Sequence, residues 1–222
     1  KISFVNAIAA VCEAVGADMS DVVLGMGYDK RIGHEFLRPG PGWGGSCFPK
    51  DSRALVRIAE DAGYDFGLLK GVISVNTEQF ERVAEKAVEL AGGSVDGVRL
   101  AVWGLTFKAR TDDLRDSPSL SVISRLRAMG ARIRAYDPSI EPPVTDRRLA
   151  LLEGIDLASD PYAACEGAAV LLVLTEWDEF RWLDFDKVGD AMAARRVVDG
   201  RNLLDREALR RRHFTYSGVG RR

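Results

Sequence analysis

One cysteine in this sequence stands where a nucleophile would be placed. Cys47 directly follows Gly44-Gly45-Ser46 and precedes Phe48-Pro49-Lys50-Asp51. Glycines allow a bound molecule to approach the backbone closely, and Pro49 suits the first turn of a helix. A helix N-terminus and a neighbouring lysine both favour thiolate over thiol, and the thiolate is the attacking form. Cys12 and Cys165 lie in apolar helical stretches and read instead as inert, buried cysteines. Asp51 either caps its own helix or helps to activate a water beside the thiol. Trp43 and Phe48 pack on a ligand ring or on the core, and His34 reads as a surface loop residue.

A second set of residues carries charge rather than nucleophilicity. Lys108 and Arg115 follow the apolar segment RLAVWGL, and Arg201 follows RVVDG. If both segments are parallel strands, their carboxyl ends share one sheet edge, where Lys108, Arg115 and Arg201 would converge as charge-assisted contacts to phosphate. The alternative is that all three are solvated loop charges. The first strand leads into Gly104-Leu-Thr-Phe-Lys108, which is not the GxGxxG fingerprint of a dinucleotide site.

These residues need two kinds of scaffold. From residue 1 to about 92 the apolar spacing is helical throughout. Val5, Ile8, Val11, Cys12 and Val15 run to a stop at Gly16, and a second helix begins at Asp18 or Ser20 and ends near Gly25 or Gly27. Residues 28–46, ending in RPGPGWGGS, form a loop longer than packing alone needs. A third helix carries the stripe Ala54, Leu55, Ile58, Ala59 and Ala62, and a long fourth runs from Leu68 to Ala91 before Gly92-Gly93. From Arg99 onward strands and helices alternate: RLAVWGL, SPSLSVISRLRAMG, RIRAYDP, DPYAACEGA, AAVLLVLT, a partly helical stretch over 177–194, RVVDG, DREALRRR, and HFTYSGVG as a last strand. Near-continuous apolar strands between helices predict an open parallel sheet covered on both faces. The fold class is therefore α/β: an all-helical domain over 1–96, then a Rossmann-like parallel domain over 97–222.

Composition excludes several other functions. Thirty-one Lys and Arg against 33 Asp and Glu give a net charge of -2, so no global field draws the chain to nucleic acid or an anionic membrane. The longest apolar run, 168–174, is far short of the ~20 residues that span a bilayer, and the sequence reads as cytoplasmic. Three widely spaced cysteines and two histidines fit neither a disulfide framework nor a metal site. The chain opens on KISFVNAIAAVCEAVG, inside a helical pattern and without Met, so a preceding segment is expected.

The segments GYDKRIGHEFLRPGPGWGGSCFPKD, WGLTFKARTDDLRDSPS, LLVLTEWDEF and VVDGRNLL, in that order, resemble the UDP-glucose branch of the UDP-glucose/GDP-mannose dehydrogenase family. The resemblance runs from Lys1 to the C-terminus and covers that family's central helical and UDP-binding domains, without the N-terminal NAD-binding domain. It implies oxidation of UDP-glucose to UDP-glucuronate with NAD, Cys47 capturing the aldehyde and Asp51 serving water activation or proton transfer. It implies sugar-nucleotide contacts at Phe36, Leu37, Arg38, Gly44, Phe107, Lys108 and Arg201, and cofactor contacts at Lys50 and Arg115. Arg31 matches an arginine that reaches the neighbouring subunit's substrate, implying a homodimer through the helical domain. The family's catalytic lysine and asparagine precede Lys1, so this chain alone is expected to be inactive. The alternatives are a GDP-mannose or UDP-N-acetylhexosamine dehydrogenase, which shares the GGSC loop, and a non-catalytic UDP-sugar-binding and dimerisation module.

Overall fold

The computed structural model describes residues 1–144 and 148–221. Four helices come first: α1 (Ile2–Val15), α2 (Met19–Tyr28), α3 (Phe48–Asp61) and α4 (Gly67–Ala91). Local chemistry sets their ends. Gly16 at φ 76 and Gly92 at φ 100 terminate α1 and α4 in the left-handed conformation that glycine adopts at least cost. The Asp18 carboxylate accepts the Ser20 N–H at 2.8 Å and starts α2.

One expected boundary moves. Helix α2 runs through Gly25 and Gly27 to Tyr28. Gly27 serves close packing rather than termination, since a Cβ there would lie 2.0 Å from His34 Nδ1. The apolar stripe of α3 also differs from a core stripe: Leu55 and Ile58 are 48% and 63% exposed, because no element among the described residues packs over them.

The remainder is β1 (Arg99–Trp103), α5 (Pro118–Ala128), β2 (Arg132–Tyr136), β3 (Asp156–Leu157), α6 (Pro161–Cys165), β4 (Val170–Val173), α7 (Phe185–Ala191), β5 (Arg196–Asp199), α8 (Arg206–Arg211) and β6 (Thr215–Gly218). The six strands form one parallel sheet in the order β3-β2-β1-β4-β5-β6, the doubly wound arrangement expected from the alternating pattern. The two-residue β3 has no sequence signal because it is an edge strand too short to show a period. Asp160 and Ser117 cap α6 and α5, each just ahead of a proline.

Alternate residues of the central strands face opposite ways. Leu100, Val102, Val170 and Leu172 pack under α4 and α5, together with Val83, Ala84 and Ala87 of α4. Ala101, Trp103, Leu171 and Val173 pack on the other face with residues of α6, α7 and α8. Trp103 is fully buried, stacks on Phe180 and donates its indole N–H to the Pro161 carbonyl at 3.0 Å. Helix α4 thus belongs to both halves: its C-terminal turns cover the sheet, while α1 packs along it from Val72 to Lys86.

At Gly104 the chain leaves β1 toward the carboxyl edge. Its φ is +90°, and a Cβ there would lie 2.3 Å from the Thr175 Cβ. Gly104→Ala is therefore expected to destabilise the chain by about 3 kcal/mol, from positive-φ strain and overpacking together. Denaturant unfolding checks this, and an unchanged midpoint would contradict it.

Candidate active site

The 29–47 loop crosses between α4 and the carboxyl edge of the sheet, and buried amide side chains hold its middle. Asn76 of α4 accepts the Trp43 N–H at 2.7 Å and donates to the Trp43 carbonyl at 3.0 Å. Gln79, one turn on, donates to the Gly40 carbonyl at 2.8 Å, and Asn6 of α1 accepts the Gly40 N–H at 2.9 Å. All three amides are at least 94% buried. The Trp43 indole donates to Ser3 Oγ at 2.8 Å, and its ring meets Phe48 edge-on. Gly42 is at φ +123 with Phe80 and Asn76 where its Cβ would be.

The far end of the loop rests on the sheet half. Gly45 N–H donates to the Arg115 carbonyl at 3.2 Å. A Cβ on Gly44 would stand 2.0 Å from the Asp116 carbonyl oxygen. Gly44 does line the cleft, but its close approach is to the chain's own Asp116–Pro118 turn.

Cys47 is exposed and is itself the N-cap residue of α3, with its carbonyl accepting the Asp51 N–H at 2.9 Å. Its thiol opens into a cleft of about 530 Å³, where Phe36, Arg38, Phe107, Lys108 and Arg201 also stand. The cleft thus joins the helical half, which brings Cys47, to the loops after β1 and β5, which bring Lys108 and Arg201. Among the described residues no group of His, Cys, Asp or Glu is arranged to hold a metal ion. No helix of the described residues is long and apolar enough to cross a membrane.

Other expected site residues lie outside the cleft lining. Arg115 does not converge with Lys108 and Arg201, because its guanidinium is tied to Asp113 by two hydrogen bonds of 2.9 and 2.8 Å. Arg31 is likewise paired with Asp29 and is 89% exposed. Asp51 does not cap α3: it lies inside the first turn, ion-paired with Lys50, and both are exposed. Leu37 is buried and lines a second cavity, of about 450 Å³, behind Arg38.

Sequence reading missed Glu35 and Glu176 in the cleft, and the amides that hold the loop. Asn76 and Gln79 did leave a signal, as polar residues at core positions of an apolar stripe.

Electrostatics follow from placement. Asp51 foremost, and Cys47 in smaller part, hold the Lys50 ammonium above its ordinary range. Asp113 foremost, and Cys47 last, do the same for Arg115. Cys47 thus sits at a helix N-terminus with two cations within electrostatic reach. Burial pushes the Arg201 guanidinium down, opposed by Glu176 and Asp199. Burial pushes Asp199 up, against hydrogen bonds from the Leu204 and Arg201 N–H groups and the Tyr216 hydroxyl. The buried Cys165 thiol is pushed up to about 12 by desolvation.

A doubly wound parallel sheet with a charged cleft at its carboxyl edge places the chain among the α/β proteins whose ligands lie beyond the strand ends. Residues 1–78 match the central-domain model of the UDP-glucose/GDP-mannose dehydrogenase family, and residues 101–206 match its UDP-binding-domain model. The chain belongs to that family. It is 45% identical over its whole length to a UDP-glucose 6-dehydrogenase of Rhizobium meliloti, covering 50% of that protein. A UDP-glucose dehydrogenase structure from Pyrobaculum islandicum superposes with a TM-score of 0.82 at 32% identity, over 100% of this chain and 48% of its own. A UDP-D-ManNAc dehydrogenase structure from Pyrococcus horikoshii gives 0.79 at 26% identity, over 99% and 48%. The chain spans about half the length of the curated relatives it matches.

Two measurements test this geometry. Brief treatment of the native chain with iodoacetamide should give one adduct, at Cys47, and unfolding should expose all three cysteines, because Cys12 and Cys165 are buried. A second adduct in the native state would contradict the burial. Asn76→Ala leaves both polar groups of Trp43 without their partner and is expected to cost about 2 kcal/mol in denaturant unfolding.

Proposed function

We propose that the full-length protein oxidises the C6 alcohol of UDP-glucose to the carboxylate of UDP-glucuronate, with NAD as oxidant, and that this chain supplies the nucleophile and much of the sugar-nucleotide site. The observation that carries the reading is the Cys47 thiol at the N-terminus of α3, opening into the cleft that also holds Lys108 and Arg201. The relatives' names support UDP-glucose as the sugar nucleotide.

The described residues do not fit NAD. The turn after β1 is Gly104-Leu105-Thr106-Phe107 rather than GxGxxG. The acid after β2, Asp137, is 1% exposed and already accepts from Leu105, Thr106, Ser139 and Trp177. It has no room for a ribose diol. The two hydride removals therefore lie outside what these residues provide.

What they do provide is covalent capture. In the proposed sequence the Cys47 thiolate attacks the C6 aldehyde carbon, a C–S bond forms, and the carbonyl oxygen takes a proton to give a thiohemiacetal. Capture keeps the aldehyde in the cleft; the thiohemiacetal carbon would give up its hydride to NAD held outside these residues, and the hydroxyl its proton to solvent, which would leave a thioester on Cys47. Water then adds to the thioester carbonyl, the C–S bond breaks, and the carboxylate leaves with the thiolate restored. Asp51, one turn along α3, is proposed to take the water's proton. Arg38, Phe36, Leu37, Gly44, Phe107, Lys108 and Arg201 are assigned to the sugar nucleotide, and Lys50 and Arg115 to the cofactor's side. Arg31 is assigned to the site of a second copy, in a homodimer through the helical half. Exposed Val11, Val15, Leu24 and Leu68 on that half support such an interface.

In the full-length protein, Cys47→Ser is expected to lower kcat at least about 1000-fold while UDP affinity stays within a few-fold. Steady-state NAD reduction with UDP-glucose, GDP-mannose and a UDP-N-acetylhexosamine, together with calorimetric titration of UDP, measures both. Turnover unaffected by the substitution would sink the mechanism.

A further inference from the structure

Three residues past β4, Glu176 is the first side chain to emerge at the carboxyl edge, since Thr175 is fully buried and bonded to the Thr106 carbonyl at 2.6 Å. One of its oxygens, Oε2, is enclosed and lies 3.0 Å from Arg201 Nε. The Arg201 guanidinium is otherwise held by neutral groups, Nε donating to the Leu174 carbonyl at 2.8 Å and Nη2 to the Phe107 carbonyl at 3.1 Å. The nearer acid in sequence, Asp199, is committed elsewhere, accepting the backbone N–H groups of Arg201 and Leu204 and the Tyr216 hydroxyl. Glu176 is thus the carboxylate that meets the guanidinium itself.

One nitrogen of Arg201, Nη1, directs no hydrogen bond to the described residues and lies beside Gly40, at the cleft. With Arg38, Glu176 and Arg201 stand between the 530 and 450 Å³ cavities and line both. A long, rotatable cation held by two carbonyls and lying against a carboxylate presents its remaining nitrogen in a set direction.

We propose that Glu176 is the positioning residue for Arg201: it fixes the guanidinium so that its free nitrogen meets the diphosphate of the bound nucleotide. This rests on the reading that the cleft takes a nucleoside diphosphate sugar. Glu176 acts through Arg201 and so governs the phosphate-dependent part of affinity alone.

Comparing UDP with uridine isolates that part. Titrations use the native chain, Glu176→Gln, Glu176→Asp, Arg201→Ala and the double variant Glu176→Gln/Arg201→Ala, with thermal unfolding of each. Glu176→Gln is expected to weaken UDP about 10-fold and leave uridine within 2-fold. Glu176→Asp, which keeps the charge on a shorter arm, should recover part of the loss. In the Arg201→Ala background, Glu176→Gln should change UDP affinity no further. An equal loss of UDP and uridine, no loss at all, or the same loss without Arg201 would overturn the proposal. A native chain that binds UDP no better than uridine would instead overturn the reading of the cleft, and the positioning role with it.

Discussion

Unpaired backbone polar groups cannot be buried cheaply, and the Gly-rich loop of this protein is pressed between a helix and a sheet edge. The answer is a set of amide side chains set into the packing stripes of two helices. Asn76 and Gln79 occupy positions on α4 that continue toward Val83, Ala84 and Ala87, so one stripe binds the loop at its start and the sheet at its end. The position of Cys47 is a consequence of that stripe. Were Asn76 or Gln79 apolar, α4 would still pack, but the loop would lose the partner of Trp43 or of the Gly40 carbonyl.

The cleft's charges follow a similar economy of placement. Lys108 and Arg201 come from loops after β1 and β5, strands on either side of β4, and the parallel topology brings those loops to one edge without further instruction. Arg115 comes from the same connection as Lys108 yet stays out of the cleft lining, its guanidinium paired with Asp113 two residues earlier. Arg31 and Asp29 repeat the pattern. Arg201 also has an acid two residues earlier, but Asp199 accepts its backbone N–H and leaves the guanidinium to the cleft.

The order of strands and helices was largely legible in the sequence, because fully buried parallel strands and amphipathic helices carry opposite periodicities. The exposed setting of Cys47 was legible too, since glycines before it and a proline after it mark a loop running into a helix start. What stayed illegible depended on contacts distant in the chain. Gly27 reads as a helix stop until His34 is found against it, and nothing near Gly44 in the sequence tells of the Asp116 carbonyl packed on it. The α3 stripe has the pattern of a core face, and pattern alone does not say whether the covering element belongs to the same chain. Glu176 shows no periodicity at all; only the pairing with Arg201, 25 residues on, distinguishes it from a solvated acid.

The loop that carries Cys47 is bonded at one end to α4 and at the other to the turn before α5. Its two anchors lie in different halves of the molecule, so a ligand in the cleft touches both and is a term in their docking equilibrium. Such a ligand stabilises the docked state by RT ln(1 + [L]/Kd), about 2.7 kcal/mol at a hundredfold excess over Kd. Occupancy and cooperativity of unfolding are thereby linked: the filled protein melts as one unit at concentrations where the empty one has least to hold its halves in register.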